Sequence, residues 1–573
     1  MAAAKPLPTE LRTKSRRLKS RLGVKLSKSW RDMMFPRWGR SWAPSILASA
    51  LASVAGWRGF AGSMPNIMTI RSPSAAAPLA AIDIGSNSFR LEIAQLQHGR
   101  YRRIAYLKET VRLGGGLDSN GYLTEEAAQR GLECLRMFAQ RLGGFEPSQV
   151  RAVATQTLRE ARNRDAFLVR GEAALGFPVE VVSGREEARL IFAGVSFLQP
   201  SAADRLVIDI GGRSTEMILG RARAPSVVES FKVGSVSLSM RWFPDGLFTE
   251  QRFRDAQVAA GAELEEALEP FAPRHWQEAL GSSGTAGAVS QILAAAGITD
   301  GTITPEGLRW CIAQCLAAGS IDKLSLPSLR EDRKAIIGGG LALLYTLATH
   351  FGITELRPAK GALRQGVIVD LHERHAARRH ANGGDLRDQT VAALQTRFDV
   401  DTAQAARVRS VATALLSSAL PDMASADDGE SLRELGWACD LHEIGLMVSH
   451  HDHHRHSAYL MGHVDAPGFS QSQQRRIAEL VLGQRGGLRK IEPQLCSERF
   501  AWQVLALRLA LIKCHARGAV DIKALRLKRE GRAARLAYRS TWADSHPRTV
   551  HLLREESDCW SRQDSPRLVL APG

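Results

Sequence analysis

The chain has 573 residues, 44% hydrophobic and 24% charged, which excludes a wholly disordered, collagen-like or polytopic membrane protein and allows three to four domains. Its formal charge is +17, but residues 1–76 hold fourteen Lys/Arg against two acids, which leaves only +5 for the other 497 residues. The basic character therefore belongs mostly to a leader and gives no ground for a specific nucleic-acid partner.

Within that leader, residues 43–57 form an apolar run of fifteen, short of the ~20 residues that span a bilayer. The long basic stretch ahead of it does not suit a signal peptide. Translation from Met33 would create a signal-like arrangement, whereas translation from Met64 or Met68 would remove the leader. The latter is favoured, because the first globular strand begins just after Pro78. Residues 1–76 then read as upstream sequence or a disordered tail, and no membrane association is expected. Seven scattered cysteines without a C-x-x-C pair argue against a disulfide framework or a structural zinc site and fit a reducing, cytoplasmic compartment.

From Leu79 the apolar pattern alternates between strands and helices. PLAAIDI, SFRLEIAQL and YRRIAYLKETVRL read as three strands joined by tight turns. A helix over about 124–142, the strand VRAVATQ, the helix NRDAFLVRGEAAL, the strand VEVVS and the helix REEARLIFAGVSFL follow. The order then restarts with RLVIDI, STEMILG and PSVVESFKVG. Asp83–Ala94 aligns with Asp209–Gly220 at a constant offset of 126, matching Asp, Ile, Gly and Ser in the same strand–turn–strand context. This predicts an internal duplication: two α/β lobes over 77–200 and 201–375. A polar stretch at 372–388 reads as a linker. Residues 385–518 show helical spacing, and 519–573 contain short alternating runs that suggest a small appendage with β structure.

The glycine turns carry the chemistry. Asp-Ile-Gly-Ser-Asn-Ser lies between two strands, so it is not a Walker loop. Its small residues leave backbone N–H groups free to face an anion, and Ser86, Asn87 and Ser88 add side-chain donors. The second copy repeats this with Gly211, Gly212, Ser214 and Thr215. Two such turns across a cleft would clamp a phosphate from both sides. Asp83 and Asp209, at the strand ends, are candidates to hold hydrated Mg²⁺, and Glu216 can join them. A third segment, Ala279–Thr285 with Gly284, opens a helix and offers an N-terminal anion site, although simple capping by Ser or Thr explains it equally well.

The segments IDIGSNSFRLEIA, TQTLREARN, SGREEARLIFAGV, LVIDIGGRSTEMILG, LGSSGT and GALRQGV together resemble the exopolyphosphatase/guanosine-pentaphosphate phosphohydrolase (Ppx/GppA) family, in the family's order and over about residues 79–570. The resemblance implies duplicated actin-like (sugar kinase/heat-shock/actin) lobes, followed by an all-α region like an HD phosphohydrolase and the small C-terminal appendage. It also implies Mg²⁺-dependent release of terminal phosphate from inorganic polyphosphate or from pppGpp, and a homodimer.

Hydrolysis of a phosphoanhydride needs an oriented water, charge neutralisation and in-line geometry. Glu186 and Glu187 are adjacent on one helix and chemistry does not choose between them. The position of the family's water-activating glutamate matches Glu187. Arg90 is placed by strand alternation to reach the cleft, and Arg159 and Arg364 lie in other matching segments as further phosphate forks. Three departures stand out: Arg213 replaces a turn glycine, either at the cost of a strained backbone or as an extra phosphate ligand; Lys360 adds charge; and Gln365 stands where Glu is common. Residues 442–463 hold seven histidines. With Glu443 and Asp452 they are candidates for a metal site, but with His442-Glu443 in place of His-Asp they read in preference as a degenerate helical domain that extends the groove, in which His454, Arg455 and His456 follow a polyphosphate chain; a His-rich surface loop is the plainer alternative. The expected activity is exopolyphosphatase, with pppGpp 5′-phosphohydrolase as the close alternative. A sugar kinase of the same fold and a non-catalytic polyphosphate or alarmone binder are more distant ones.

Overall fold

A computed structural model describes residues 77–379, 384–420, 426–562 and 566–572. The expectations for the leader fall outside these residues. The first lobe is built on β1 (Leu79–Ile84), β2 (Phe89–Gln97), β3 (Arg100–Glu109), β4 (Val150–Ala154) and β5 (Val179–Val181), in the order β3-β2-β1-β4-β5. The second is built on β6 (Asp204–Ile210), β7 (Thr215–Arg221), β8 (Ala224–Phe231), β9 (Glu278–Ser282) and β10 (Leu356–Pro358), in the order β10-β9-β6-β7-β8. In both sheets the first three strands are antiparallel and the last two join in parallel. The register repeats too: Asp83 pairs with Arg90 and Ile84 with Phe89, as Asp209 pairs with Glu216 and Ile210 with Thr215. The offset of 126 seen in the sequence is thus an offset between paired residues in space.

β1 is buried on both faces, as its unbroken apolar run requires. Ala80, Ile82 and Ile84 enter the first lobe's own core, while Leu79 and Ala81 face a layer shared with the second lobe. Two helices fill that shared layer, Gly184–Leu198 and Leu363–Arg379, with Ile191, Val195, Val367 and Ile368 packed against Val207, Ile218 and Leu280 of the second sheet. They cross at glycines. A Cβ on Gly366 would lie 1.7 Å from the Leu190 carbonyl oxygen, and one on Gly194 would lie 2.6 Å from that of Ala362. This close crossing fixes the helix that carries Glu186 and Glu187.

The linker expected at 372–388 begins later than its composition suggests, because the second of these helices runs on to Arg379. Its polar residues are partnered within the fold: Arg374 pairs with buried Asp370 at 2.7 Å, and Asp370 also holds Arg151 and Arg189. Helices between Leu386 and Lys513 share one core with a three-stranded sheet of β11 (Leu525–Glu530), β12 (Ala533–Tyr538) and β13 (Arg567–Pro572). No helix among the described residues is long and apolar enough to cross a membrane.

Candidate active site

The cleft between the lobes is lined by both glycine turns. Asp83, Gly85, Ser86, Asn87, Ser88 and Arg90 come from the first, and Asp209, Gly211, Gly212 and Ser214 from the second. The two turns share one construction. A Cβ on Gly85 would meet the Ser88 carbonyl oxygen at 3.0 Å, and one on Gly211 would meet that of Ser214 at the same distance, so each chain reversal needs glycine. The turns also touch, since a Cβ on Gly212 would lie 3.3 Å from that of Ser86. Ser86 is fixed by Thr157, whose hydroxyl donates to it at 2.8 Å. The third segment closes the floor. Ser283 and Thr285 donate to the Ile210 carbonyl at 2.9 and 3.2 Å, and Gly284 opens onto the cleft at the N-terminus of helix Ser283–Ala295.

Helix rotation separates the two adjacent glutamates. Ser183 caps the helix by accepting from the Glu186 N–H. The Glu186 carboxylate turns away from the cleft, bound by Arg189 at 2.8 Å and by the Gly468 N–H at 2.9 Å. Glu187 lines the cleft. It is buried, with Arg159 Nη1 donating to its Oε2 at 2.6 Å. Burial pushes its carboxyl up to about 7, against the pull of Arg159 and with the help of Asp209 and Asp83. Burial likewise raises Asp209, opposed by hydrogen bonds from Ser283 and Ser282, and raises Glu216 well above the usual carboxylate range, with Glu187 adding to it. Among the described residues Asp209 has no ion-pair partner, whereas Asp83 faces Arg90 at 3.4 Å and Arg364 at 3.6 Å.

Arg90 and Arg364 both line the cleft as expected, and Arg364 Nη1 is buried without a hydrogen-bond partner. Gln365 serves Glu92 at 2.7 Å rather than the cleft. Arg159 does not line the cleft but holds Glu187 from behind, 4.0 Å from Glu216. Arg333 was not anticipated. It lines the cleft and lies so close to Gly284 that a Cβ there would be 2.0 Å from its Nη2. Burial and the neighbouring Arg90 lower its pKa, and no carboxylate pairs with it among the described residues. A cation placed ahead of the glycine run Gly338–Gly340 was the only hint in the sequence.

Four expectations need correction. Arg213 does not line the cleft; its guanidinium is bound to Glu160 and Gly114, and its backbone is not in the left-handed region. Thr215 is fully buried and donates to the Val233 carbonyl at 2.6 Å, because it precedes Glu216 and alternation turns it to the other face. Glu216 lies behind the cleft lining, where Ser230 donates to it at 2.8 Å. Asp83, Asp209 and Glu216 therefore do not form a ready-made cage, and no cluster of three or more His, Cys, Asp or Glu able to hold a metal exists among the described residues. This includes the histidine segment. There His442, His453 and His454 are buried and burial lowers the last two to about 4, whereas Arg455 is exposed, 3.6 Å from Asp452, and His456 is half-buried.

The model of the Ppx/GppA phosphatase family matches residues 92–375, and that of Ppx/GppA phosphatase domain III matches 386–557. A guanosine-5′-triphosphate,3′-diphosphate pyrophosphatase from Aeromonas hydrophila is 34% identical over 86% of this chain and 98% of its own. One of the same name from Pseudoalteromonas atlantica is 36% identical over 82% of this chain and 92% of its own. A solved exopolyphosphatase from Cytophaga hutchinsonii is 24% identical over 51% of this chain and 96% of its own, with a TM-score of 0.47.

Proposed function

This chain belongs to the Ppx/GppA phosphatase family, and on that footing we propose that it hydrolyses the 5′ γ-phosphate of pppGpp to give ppGpp and orthophosphate. This reverses the order of substrates favoured by sequence alone, in which exopolyphosphatase came first. Two relatives above 30% identity, matched over nearly their whole length, carry the pppGpp name.

The observation that carries the reading is Glu187: a buried carboxylate with its pKa near neutrality, on the lining of a cleft formed by two phosphate-type turns. A base poised near working pH is what water activation requires. Glu187 takes a proton from the attacking water, the new P–O bond forms at the γ-phosphorus, and the β–γ bridging bond breaks towards ppGpp. Ser86, Asn87, Ser88, Gly211, Gly212, Ser214 and Gly284 hold the terminal phosphates. Arg90, Arg333 and Arg364 neutralise them.

A hydrated Mg²⁺ fits the donor set, since this ion is commonly held by one or two carboxylates plus substrate phosphates. Asp209 is the first candidate, with Asp83 beside it and Glu216 behind. When bound, the ion would offset charge on the leaving phosphate. For the helical segment we propose a degenerate HD-like domain without a metal of its own.

The test is orthophosphate release from pppGpp and from long polyphosphate in parallel, with and without Mg²⁺. Release from pppGpp that needs Mg²⁺ and disappears in Glu187→Gln is expected. Release from polyphosphate alone, or turnover by Glu187→Gln, would overturn the reading.

A further inference from the structure

We propose that Arg213 is a positioning residue: it clasps the second phosphate turn onto Glu160 of the first lobe and, through Gln156 and Arg159, holds the Glu187 carboxylate in its working orientation. This role presupposes Glu187 as the base.

Arg213 stands where the first turn has Asn87. Its Nε and Nη2 reach Glu160 Oε2 at 3.0 and 2.9 Å, and its Nη1 donates to the Gly114 carbonyl at 3.3 Å. From there the hydrogen bonds run on without a gap. Gln156 Nε2 donates to Glu160 Oε1 at 2.7 Å, and Arg159 donates to Gln156 Oε1 from Nε at 2.9 Å and Nη2 at 2.7 Å. Arg159 Nη1 then donates to Glu187 Oε2 at 2.6 Å and to the Val182 carbonyl at 3.0 Å.

Three of these links, Gln156, Arg159 and Glu160, ride on a helical turn of five residues with no side-chain cap. So short a turn has little rigidity of its own, and its side-chain ties decide where Arg159 points. The stem of Arg213 also braces the other wall. A Cβ on Gly114 would lie 2.9 Å from Arg213 Cδ and 3.0 Å from Ser86 Cβ, and the Gly114 N–H donates to the Ser86 carbonyl at 2.8 Å.

The Arg213–Glu160 pair is about a quarter exposed at each end, 24% and 29%. Such a pair contributes little to global stability. Its consequence is therefore local: it sets one geometry for the turn that grips phosphate and for the group that primes the water.

The test compares Arg213→Ala, Glu160→Ala, the double variant and Arg213→Lys, with Glu187→Gln alongside, using pppGpp. Each alanine variant should lose about tenfold or more in kcat, the scale of a small misplacement of a reacting group. Any rise in KM, from loosening of the turn that grips phosphate, should be smaller than the fall in kcat. The double variant should fall no further than the singles, and Arg213→Lys should recover part of the rate. Amide exchange over residues 156–162 should quicken in the alanine variants while the helical C-terminal part stays unchanged. That readout does not depend on which substrate is turned over. Full kcat in Arg213→Ala, a rise in KM alone, additive losses, or unaltered exchange would overturn the clasp. Turnover by Glu187→Gln would instead overturn the base assignment while leaving the exchange result to judge the clasp.

Discussion

Replacing Glu187 with Gln is expected to abolish activity and yet stabilise the protein, with a gain that grows as pH rises from 4.5 and is complete above about 7. The carboxyl is 7% exposed, and its pKa is raised from 4.5 to about 7. Burial is the main cause; Asp209 and Asp83 add to it, and Arg159 opposes it. Below the unfolded pKa the group is protonated in both states and carries no penalty. As pH rises through the folded pKa the unfolded chain ionises more easily, so stability is lost, and the loss is complete above about 7. At about 1.4 kcal/mol per pH unit across that interval, the ionised carboxylate costs on the order of 3 kcal/mol. Gln keeps the shape and still accepts from Arg159, but it cannot ionise. Chemical denaturation at pH 8 in EDTA should therefore find Glu187→Gln more stable by up to about 3 kcal/mol, with the two proteins alike near pH 4. A variant equal to or weaker than the wild type at pH 8 would refute the account of Glu187 as a carboxylate held in the cleft against the cost of its burial.

Arg333→Gln should raise KM for pppGpp about 10- to 100-fold, the worth of one charge-assisted contact, with a smaller effect on kcat; steady-state kinetics measures both. Arg90→Gln should also raise KM for pppGpp. Because it leaves Asp83 with Arg364 as its one facing cation, it should lower the Mg²⁺ concentration needed for half-maximal rate, so the two titrations move in opposite directions. Gly366→Ala places a methyl group 1.7 Å from the Leu190 carbonyl oxygen. It should cost about 3 kcal/mol or more by forcing the helix pair apart, read as a lowered denaturation midpoint together with lost turnover.

The duplication was legible because each turn is written in small residues that only a tight reversal between strands needs, and the constant offset reappears as the pairing of Asp83 with Arg90 and of Asp209 with Glu216. The choice between Glu186 and Glu187 was not legible from chemistry. It depends on the rotation of one helix, set by its cap at Ser183 and its glycine crossing with the Leu363–Arg379 helix. Strand alternation was enough to turn Thr215 away from Glu216, and overlooking it misplaced that residue. Arg213 was misplaced for a different reason: its partner, Glu160, is 53 residues away in the other lobe. Composition misled at 372–379, where a polar run reads as linker while Arg374 is in fact held by a buried aspartate. Arg333 belongs to a four-residue helix, Glu331–Lys334, too short to leave a periodic signal.

The duplication is imperfect at the site. Both lobes present an aspartate at the end of their first strand, and each aspartate faces one cross-strand neighbour. In the first lobe that neighbour is Arg90; in the second it is Glu216. Asp83 is thereby offset by a cation 3.4 Å away, while Asp209 has no ion-pair partner among the described residues and is raised in pKa by its burial. One inherited frame thus carries opposite charges at equivalent positions. Arg90, Arg333 and Arg364 give the cleft a cationic side drawn from both lobes, while Asp209 and Glu187, with Glu216 behind them, give it an acidic side, also drawn from both. The exchange of a single residue type at equivalent positions thus sets a cation beside Asp83 and a carboxylate beside Asp209.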